Sequence, residues 1–252
     1  MRPDLSADLF EKEETYWWHV ARREMVIALL AGRGLPGVPG GGLALDVGCG
    51  GGYTSKVLES SRWRVVSMDV SDEALSSCRR RGLKRLCRTD LQGFPLPFKT
   101  GSFDLVLAMD VIEHVEDDRH ALAECRRILK EDGLLVVTVP AYMALWSAWD
   151  EALGHRRRYT GRRLSEAAVR AGLAVERMTY FFCVVLPAAV VVRSVKRLVY
   201  RKAAQYTTDF VPIPRVVNGL LILVGRLERF FVAKLRVGLP FGLSVIAVLS
   251  KR

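Results

Sequence analysis

The densest run of reactive residue types is Ala44-Leu45-Asp46-Val47-Gly48-Cys49-Gly50-Gly51-Gly52-Tyr53, where an apolar segment meets an acid and then a glycine-rich turn. Glycine lets the backbone turn sharply and approach a ligand closely. A dinucleotide fingerprint reads G-x-G-x-x-G, but its third glycine would fall on Tyr53, and the pattern here is D-x-G-x-G-x-G. Asp46 beside the turn repels a pyrophosphate and suits a cation, which argues against NAD. A second acid, Asp69, closes Val65-Val66-Ser67-Met68-Asp69, 17 residues beyond Gly52, where a carboxylate can accept two ribose hydroxyls. In a doubly wound sheet both acids reach one crevice at the carboxyl ends of adjacent strands.

Two histidines are candidate bases. In Asp110-Val111-Ile112-Glu113-His114-Val115 the acids and His114 stand at i, i+3 and i+4, so a helical turn would set them on one face. His114 can take a proton near neutral pH, serve as a metal ligand beside the two carboxylates, or only shape a pocket. His155 in Gly154-His155-Arg156-Arg157-Arg158-Tyr159 is the rival base, with Tyr159 and Trp146 as further groups for an acceptor. The arginines there favour phosphate or carboxylate, while the plainer alternative is a solvated basic loop with buried tryptophans. Asp90, in Arg88-Thr89-Asp90-Leu91, could accept an amino group of a purine.

Positioning these groups calls for an α/β domain, since β-type runs alternate with helical patterns along the chain. Strands are predicted at Leu43–Val47, Arg64–Met68, Leu105–Ala108 within Phe103–Met109, Leu134–Val139, Ala174–Tyr180 and Ser244–Leu249. Helices are predicted at Thr15–Ala31, Tyr53–Ser60, Asp72–Arg80, Asp118–Leu129 and Gly161–Ala171. The expected fold is Rossmann-like and doubly wound, with a mostly parallel seven-stranded sheet, an N-terminal helical cap and a helical insertion before the last strand. The units are 1–42 (cap, with the linker Gly32–Gly42), 43–180 (cofactor-binding core), 181–242 (insertion) and 243–252 (last strand). Two helices, near Phe182–Tyr200 and Val216–Leu235, flank the loop Asp209–Pro214 within the insertion. The insertion is too long for a plain connection.

From Leu43 to Tyr180 the chain resembles the class I S-adenosylmethionine-dependent methyltransferases, in the branch that modifies small molecules. The glycine turn, Asp69, Asp90, the loop Phe94-Pro95-Leu96-Pro97-Phe98, the strand Phe103-Asp104-Leu105-Val106 and Ile128-Leu129-Lys130-Glu131-Asp132-Gly133-Leu134 carry the likeness. The resemblance implies S-adenosylmethionine as cofactor. Gly48, Gly50 and Gly52 would form its turn, Asp46 would face its amino and sulfonium groups, and Asp69 its ribose. The adenine would meet Val70, Asp90, Leu91 and Met109. The opening Glu14-Thr15-Tyr16-Trp17-Trp18-His19-x-x-Arg22-Arg23 is similar to that of one subset, which implies Tyr16 near the ribose and Arg22 on the cofactor carboxylate; alternatively the tryptophans only pack the helix down. The turn at Glu113-His114 is similar to that of metal-assisted quinone O-methyltransferases and equally to metal-free members, and no metal is assigned.

Charge separates the two ends of the chain. Residues 1–154 carry 19 Lys/Arg against 23 Asp/Glu, a net of −4, and residues 155–252 carry 19 against 4, a net of +15. The insertion alone, over 193–236, has ten basic residues and two acids. Basic charge beside the apolar runs Phe181–Val192 and Leu220–Val224 fits an element lying against anionic lipid or a lipid-linked acceptor. RNA is the competing partner, but no RNA-binding module and no Asn-Pro-Pro-aromatic motif is present. Five scattered cysteines without a C-x-x-C, and an acidic start lacking an export signal, lead to a cytoplasmic expectation with peripheral membrane contact. The activity expected is methyl transfer to a small-molecule oxygen, with RNA methylation or a non-catalytic cofactor-binding role as alternatives.

Overall fold

A computed structural model describes residues 9–31, 42–92, 95–199 and 213–251. Most of the linker at 32–42, Phe94, Tyr200, the first part of the loop that starts at Asp209, and Arg252 lie outside these residues. Seven strands form one sheet: β1 (Leu43–Val47), β2 (Arg64–Asp69), β3 (Leu86–Arg88), β4 (Phe103–Met109), β5 (Leu129–Pro140), β6 (Leu173–Phe181) and β7 (Ser244–Lys251), in the order β3-β2-β1-β4-β5-β7-β6. The first five run parallel, and β7 enters antiparallel between β5 and β6. The strand order reverses next to β1 and β4, which opens a crevice at their carboxyl ends.

Alternation along the strands builds two layers. Leu45, Val47, Val106, Ala108, Leu135 and Val137 face one apolar core, shared with α4 (Asp118–Ile128) and α6 (Gly161–Arg170). Their neighbours Ala44, Leu105, Leu107, Leu134 and Val136 face the other, shared with α1 (Trp17–Ala31) and α2 (Tyr53–Ser60). Both faces of the sheet are thus covered, as a parallel sheet requires. α3 (Asp72–Arg80) takes Ser71 as its N-cap, whose Oγ accepts from Ala74 N at 3.2 Å.

Two elements differ from the sequence-based expectation. The three-residue β3 is too short to show a period. α5 (Ala148–Leu153) was hidden among aromatic residues, although its start carries a readable signal: the Asp150 carboxylate accepts from Ser147 N at 2.8 Å, three residues back. The insertion helices are also shorter than predicted, namely α7 (Leu186–Val199) and α8 (Arg215–Arg229), the latter followed by a π-helical turn over Phe230–Lys234. Phe182 has a φ of 61°, so no helix can include it, and the buried Glu228 fixes this corner by accepting from Phe182 N at 2.8 Å and Val184 N at 2.9 Å. α7 then begins one residue before Pro187, where a missing N–H costs nothing.

α8 lies on α1. Asn218 accepts from Trp17 N at 2.9 Å and donates to Thr15 O at 2.8 Å, capping the start of α1 from 201 and 203 residues away. Arg226 pairs with Glu24 through Nη2 at 2.8 Å. Gly225 is the closest approach, since a Cβ placed there would meet the Ala21 Cβ at 2.5 Å, whereas one on Gly219 meets nothing within 4 Å. Gly225→Val is therefore expected to lower stability by about 1–3 kcal/mol through overpacking. Gly219→Ala should raise it by about 0.5–1 kcal/mol. Urea unfolding of both variants checks the pair.

Candidate functional site

The glycine turn leaves β1 with Gly48 at φ 61°, Gly50 at φ 56° and Gly52 at φ 84°, a region that L side chains avoid. At Gly48 a side chain would also strike the Val111 Cγ2, 2.6 Å from an ideal Cβ. Asp69 at the end of β2 pins the turn, its Oδ2 accepting from Gly50 N at 3.0 Å and its Oδ1 from Ser71 N at 2.9 Å. Asp46 is buried beneath, accepting from Ser55 Oγ at 2.7 Å, and Ser67 Oγ donates on to Ser55 at 2.8 Å. Burial pushes the Asp46 carboxyl up to about 6, against the pull of Ser55.

A cleft of about 840 Å³ opens over this turn. Of the residues expected to hold a cofactor, Tyr16, Arg22, Asp46, Gly48, Gly50, Asp69, Val70, Asp90, Leu91 and Met109 line it. Gly52 is not among the lining residues. It precedes α2, and a side chain there would meet the Cys78 Sγ at 2.6 Å and Leu83 Cδ1 at 2.8 Å, so this glycine serves close packing of the turn on α3 and its end. Asp90 accepts from Gln92 N at 2.9 Å and Val70 is 58 % exposed, an open apolar face for a ring. Trp17 and Trp18 have two surroundings. They line the cleft, and they pack on Phe182 with ring centroids 5.1 and 4.2 Å away.

Glu13 was missed in the sequence reading. Its carboxylate accepts from Gly51 N at 2.6 Å and Tyr53 N at 3.2 Å, supplying the side-chain cap that Gly52 cannot give to α2. Burial raises its carboxyl to about 7 despite these bonds and the nearby Arg81. No spacing rule links a residue to partners 38 and 40 positions away, so the sequence offered no signal.

Arg22 spans the cleft from α1 to the end of β4, where it pairs with Asp110. Asp110 sits at φ 55°, unusual for a non-glycine residue, and is held there by Thr138: Asp110 N donates to Thr138 O at 2.9 Å, and Thr138 Oγ1 donates to the Asp110 carboxylate at 2.9 Å. The expected contact of Arg22 with a cofactor carboxylate is thus one that Asp110 already shares.

Beyond this turn stand Glu113, His114 and His155, each offering one donor atom within 4.8 Å of the others. His114 Nδ1 faces the Gly154 carbonyl at 3.4 Å, which can only accept, so this nitrogen carries the proton and Nε2 a lone pair. Burial and His155 hold its imidazolium down to about 4, so the ring is neutral at physiological pH. His155 Nδ1 lies 2.8 Å from the Asp150 Oδ1. Asp150 is fully buried and also takes two bonds from Arg158, at 2.7 and 2.9 Å. Despite burial, these partners hold its carboxyl well below the usual range. It is an anion, and His155 therefore donates to it from Nδ1. Both Glu113 oxygens are buried without a hydrogen-bond partner among the described residues, and burial raises this carboxyl to about 8. The three groups suit proton transfer, and their donor set would also suit a divalent cation.

Tyr159 does not reach the cleft. It is fully buried, and its hydroxyl donates to Asp118 at 2.8 Å, so it is a core residue of the α4 side and not an acceptor-facing acid or base. Arg158 likewise belongs to the buried Asp150 network, although it borders the cleft. The acceptor side of the cleft is closed by Val185, Ala188, Ala189 and Arg193 of the insertion.

Comparison with known proteins gives a match to the methyltransferase domain family over residues 45–137. A probable S-adenosylmethionine-dependent methyltransferase of Mycolicibacterium smegmatis is 31% identical over 65% of this chain, and the chain spans 62% of that relative's length. A ubiquinone biosynthesis O-methyltransferase of Xanthomonas oryzae pv. oryzae is 34% identical over 42% of this chain and 47% of its own. Among solved structures, geranyl diphosphate C-methyltransferase from Streptomyces coelicolor, in complex with Mg2+, geranyl diphosphate and S-adenosyl-L-homocysteine, superposes with a TM-score of 0.58 at 16% identity, covering 91% of this chain and 79% of that one. With β7 inserted antiparallel beside β5 and a glycine turn at the strand-order reversal, the chain has the fold of solved S-adenosylmethionine-dependent methyltransferases, and its residues 45–137 are similar to the methyltransferase domain family.

Proposed function

We propose that the chain transfers the methyl group of S-adenosylmethionine to an oxygen of a small, anionic or lipid-linked acceptor, with His155 as the base. The observation that carries this reading is the buried Asp150–His155 pair, whose ring lies 4.8 Å between centroids from His114 at the cleft wall. The cofactor supplies an electrophilic methyl on a sulfonium, for which Asp46, Asp69 and the glycine turn offer the complementary carboxylates and close backbone. The acceptor hydroxyl gives its proton to the His155 Nε2 as its oxygen attacks the methyl carbon in line; the carbon–sulfur bond breaks, and the pair of electrons neutralises the sulfonium. Asp150 stabilises the imidazolium that forms. The neutral form of Glu113 can donate a hydrogen bond to the acceptor oxygen without competing for the proton. Much of the rate comes from in-line positioning.

Calorimetric titration is expected to show binding of S-adenosylhomocysteine to the wild type and its loss in Asp69→Ala; no binding by the wild type would refute the reading. In an acceptor screen with labelled cofactor, the acceptor found should be turned over about 10²–10⁴-fold more slowly by His155→Ala, with cofactor affinity unchanged. Chelation with EDTA should leave the rate intact, and a loss restored by a divalent cation would assign Glu113, His114 and His155 to a metal instead. Asp150→Asn leaves Arg158 buried without its counter-ion and should cost about 3–5 kcal/mol of stability at pH 7. Because the Asp150 carboxyl titrates lower in the folded chain, that difference is full above about pH 4 and shrinks as pH falls through the folded value. Urea midpoints of both chains at several pH values measure it.

A further inference from the structure

The insertion carries an apolar stripe that the described residues leave uncovered. Val216, Leu220, Leu223, Leu227 and Phe230 recur at spacings of four, three, four and three residues, so they share one face of α8 and the turn that follows, and each is 52–74% exposed. The opposite face is already occupied by α1, through Gly225 on Ala21 and Asn218 on Thr15 and Trp17. A helix apolar on both sides has two apolar neighbours, and one of them is not among the described residues. α7 has the same division, with Val190, Val191 and Val195 exposed while Ala188 and Ala189 line the cleft. Val192 does both, being 51% exposed and part of the lining, so the cleft reaches the surface along α7.

Charge selects the neighbour. Of the two acids within 193–236, Asp209 lies outside the described residues and Glu228 is buried on the backbone of Phe182 and Val184. Among the described residues, the exposed surface of α7, α8 and the following turn therefore bears no carboxylate, while Arg215, Lys234 and Arg236 are exposed. We propose that this face docks on an anionic lipid bilayer as a monotopic element, with the apolar stripe in the acyl boundary and the cations at the headgroups. No helix among the described residues is long and apolar enough to cross a membrane. A second copy of the chain would bring the same cations to the interface and repel the first. Nucleic acid would engage the arginines but leave a valine and leucine stripe in water. Docking places the α7 mouth of the cleft at the lipid surface, and an acceptor entering there is an amphiphile with an anionic head. The acceptor class rests on the methyl-transfer reading; the docking does not.

The test is sedimentation of the full chain with vesicles. Vesicles of phosphatidylglycerol and phosphatidylcholine at low salt should carry the protein into the pellet, high salt should release it, and pure phosphatidylcholine should leave most of it in solution. Leu220→Asp with Leu223→Asp should weaken binding by more than about tenfold, since burying one leucine is worth that much. Lys234→Ala and Arg236→Ala should each weaken it about fivefold. Calorimetric binding of S-adenosylhomocysteine, unchanged in every variant, confirms that these chains fold and separates a failure of docking from a failure of the cofactor site. Unchanged partition of the double aspartate variant overturns the proposal, as does equal binding to neutral vesicles. It is also overturned by a stable dimer that the aspartates dissociate, or by RNA retention without vesicle binding.

Discussion

The ion pair between Arg22 and Asp110 is the contact on which the site depends, because it joins the N-terminal helix to the carboxyl end of β4 across the cleft. Both partners are largely withdrawn from water, with side chains 11% and 25% exposed, so the loss of either would leave a mostly buried charge without its counter-ion. Burial lowers the Arg22 guanidinium to about 10, which still leaves it charged at any physiological pH. Thr138 holds Asp110 in a left-handed conformation at this contact, and the turn that follows brings Glu113 and His114 to the cleft. Cofactor and acceptor walls are thus set by a single charged contact.

Proton inventories differ on the two sides of the cleft. Around the glycine turn, Asp46 and Glu13 are raised toward neutrality by burial, and Asp69 is shifted in the same direction. Each spends part of its hydrogen-bonding capacity on backbone N–H groups or on Ser55, so the turn is pre-organised by its own acids. Beside His155, Asp150 is a firmly ionised carboxylate, clamped by Arg158. Separating an acidic pocket from a hard ion pair lets one cleft accommodate a cationic cofactor and still keep an oriented histidine.

The sheet and the cofactor crevice were legible in the sequence because they rest on local signals: strand-to-glycine transitions, acids at strand ends and alternating apolar residues. Asp46 and Asp69 follow from position along strands and Asp90 from the resemblance, and the structure brings all three to the cleft. What could not be read was long-range. Glu13 reaches the glycine turn from outside any motif, and Asp150 earns its role only when the loop after α5 folds His155 and Arg158 back onto it. Tyr159 illustrates the converse, since adjacency to two candidate residues suggested a shared site, but neighbouring side chains in an extended segment point to opposite sides.

The placement of α8 bears on how such a protein can be divided or recombined. Residues that lie two hundred positions apart, Asn218 and Trp17, share a helix cap, and Gly225 has no side chain because Ala21 fills the space. The insertion is consequently a buttress for the wall that carries Arg22. Exchanging it for the corresponding segment of a relative would unseat that wall, so the first and last quarters of the chain are a single unit of inheritance, discontinuous in sequence and contiguous in space.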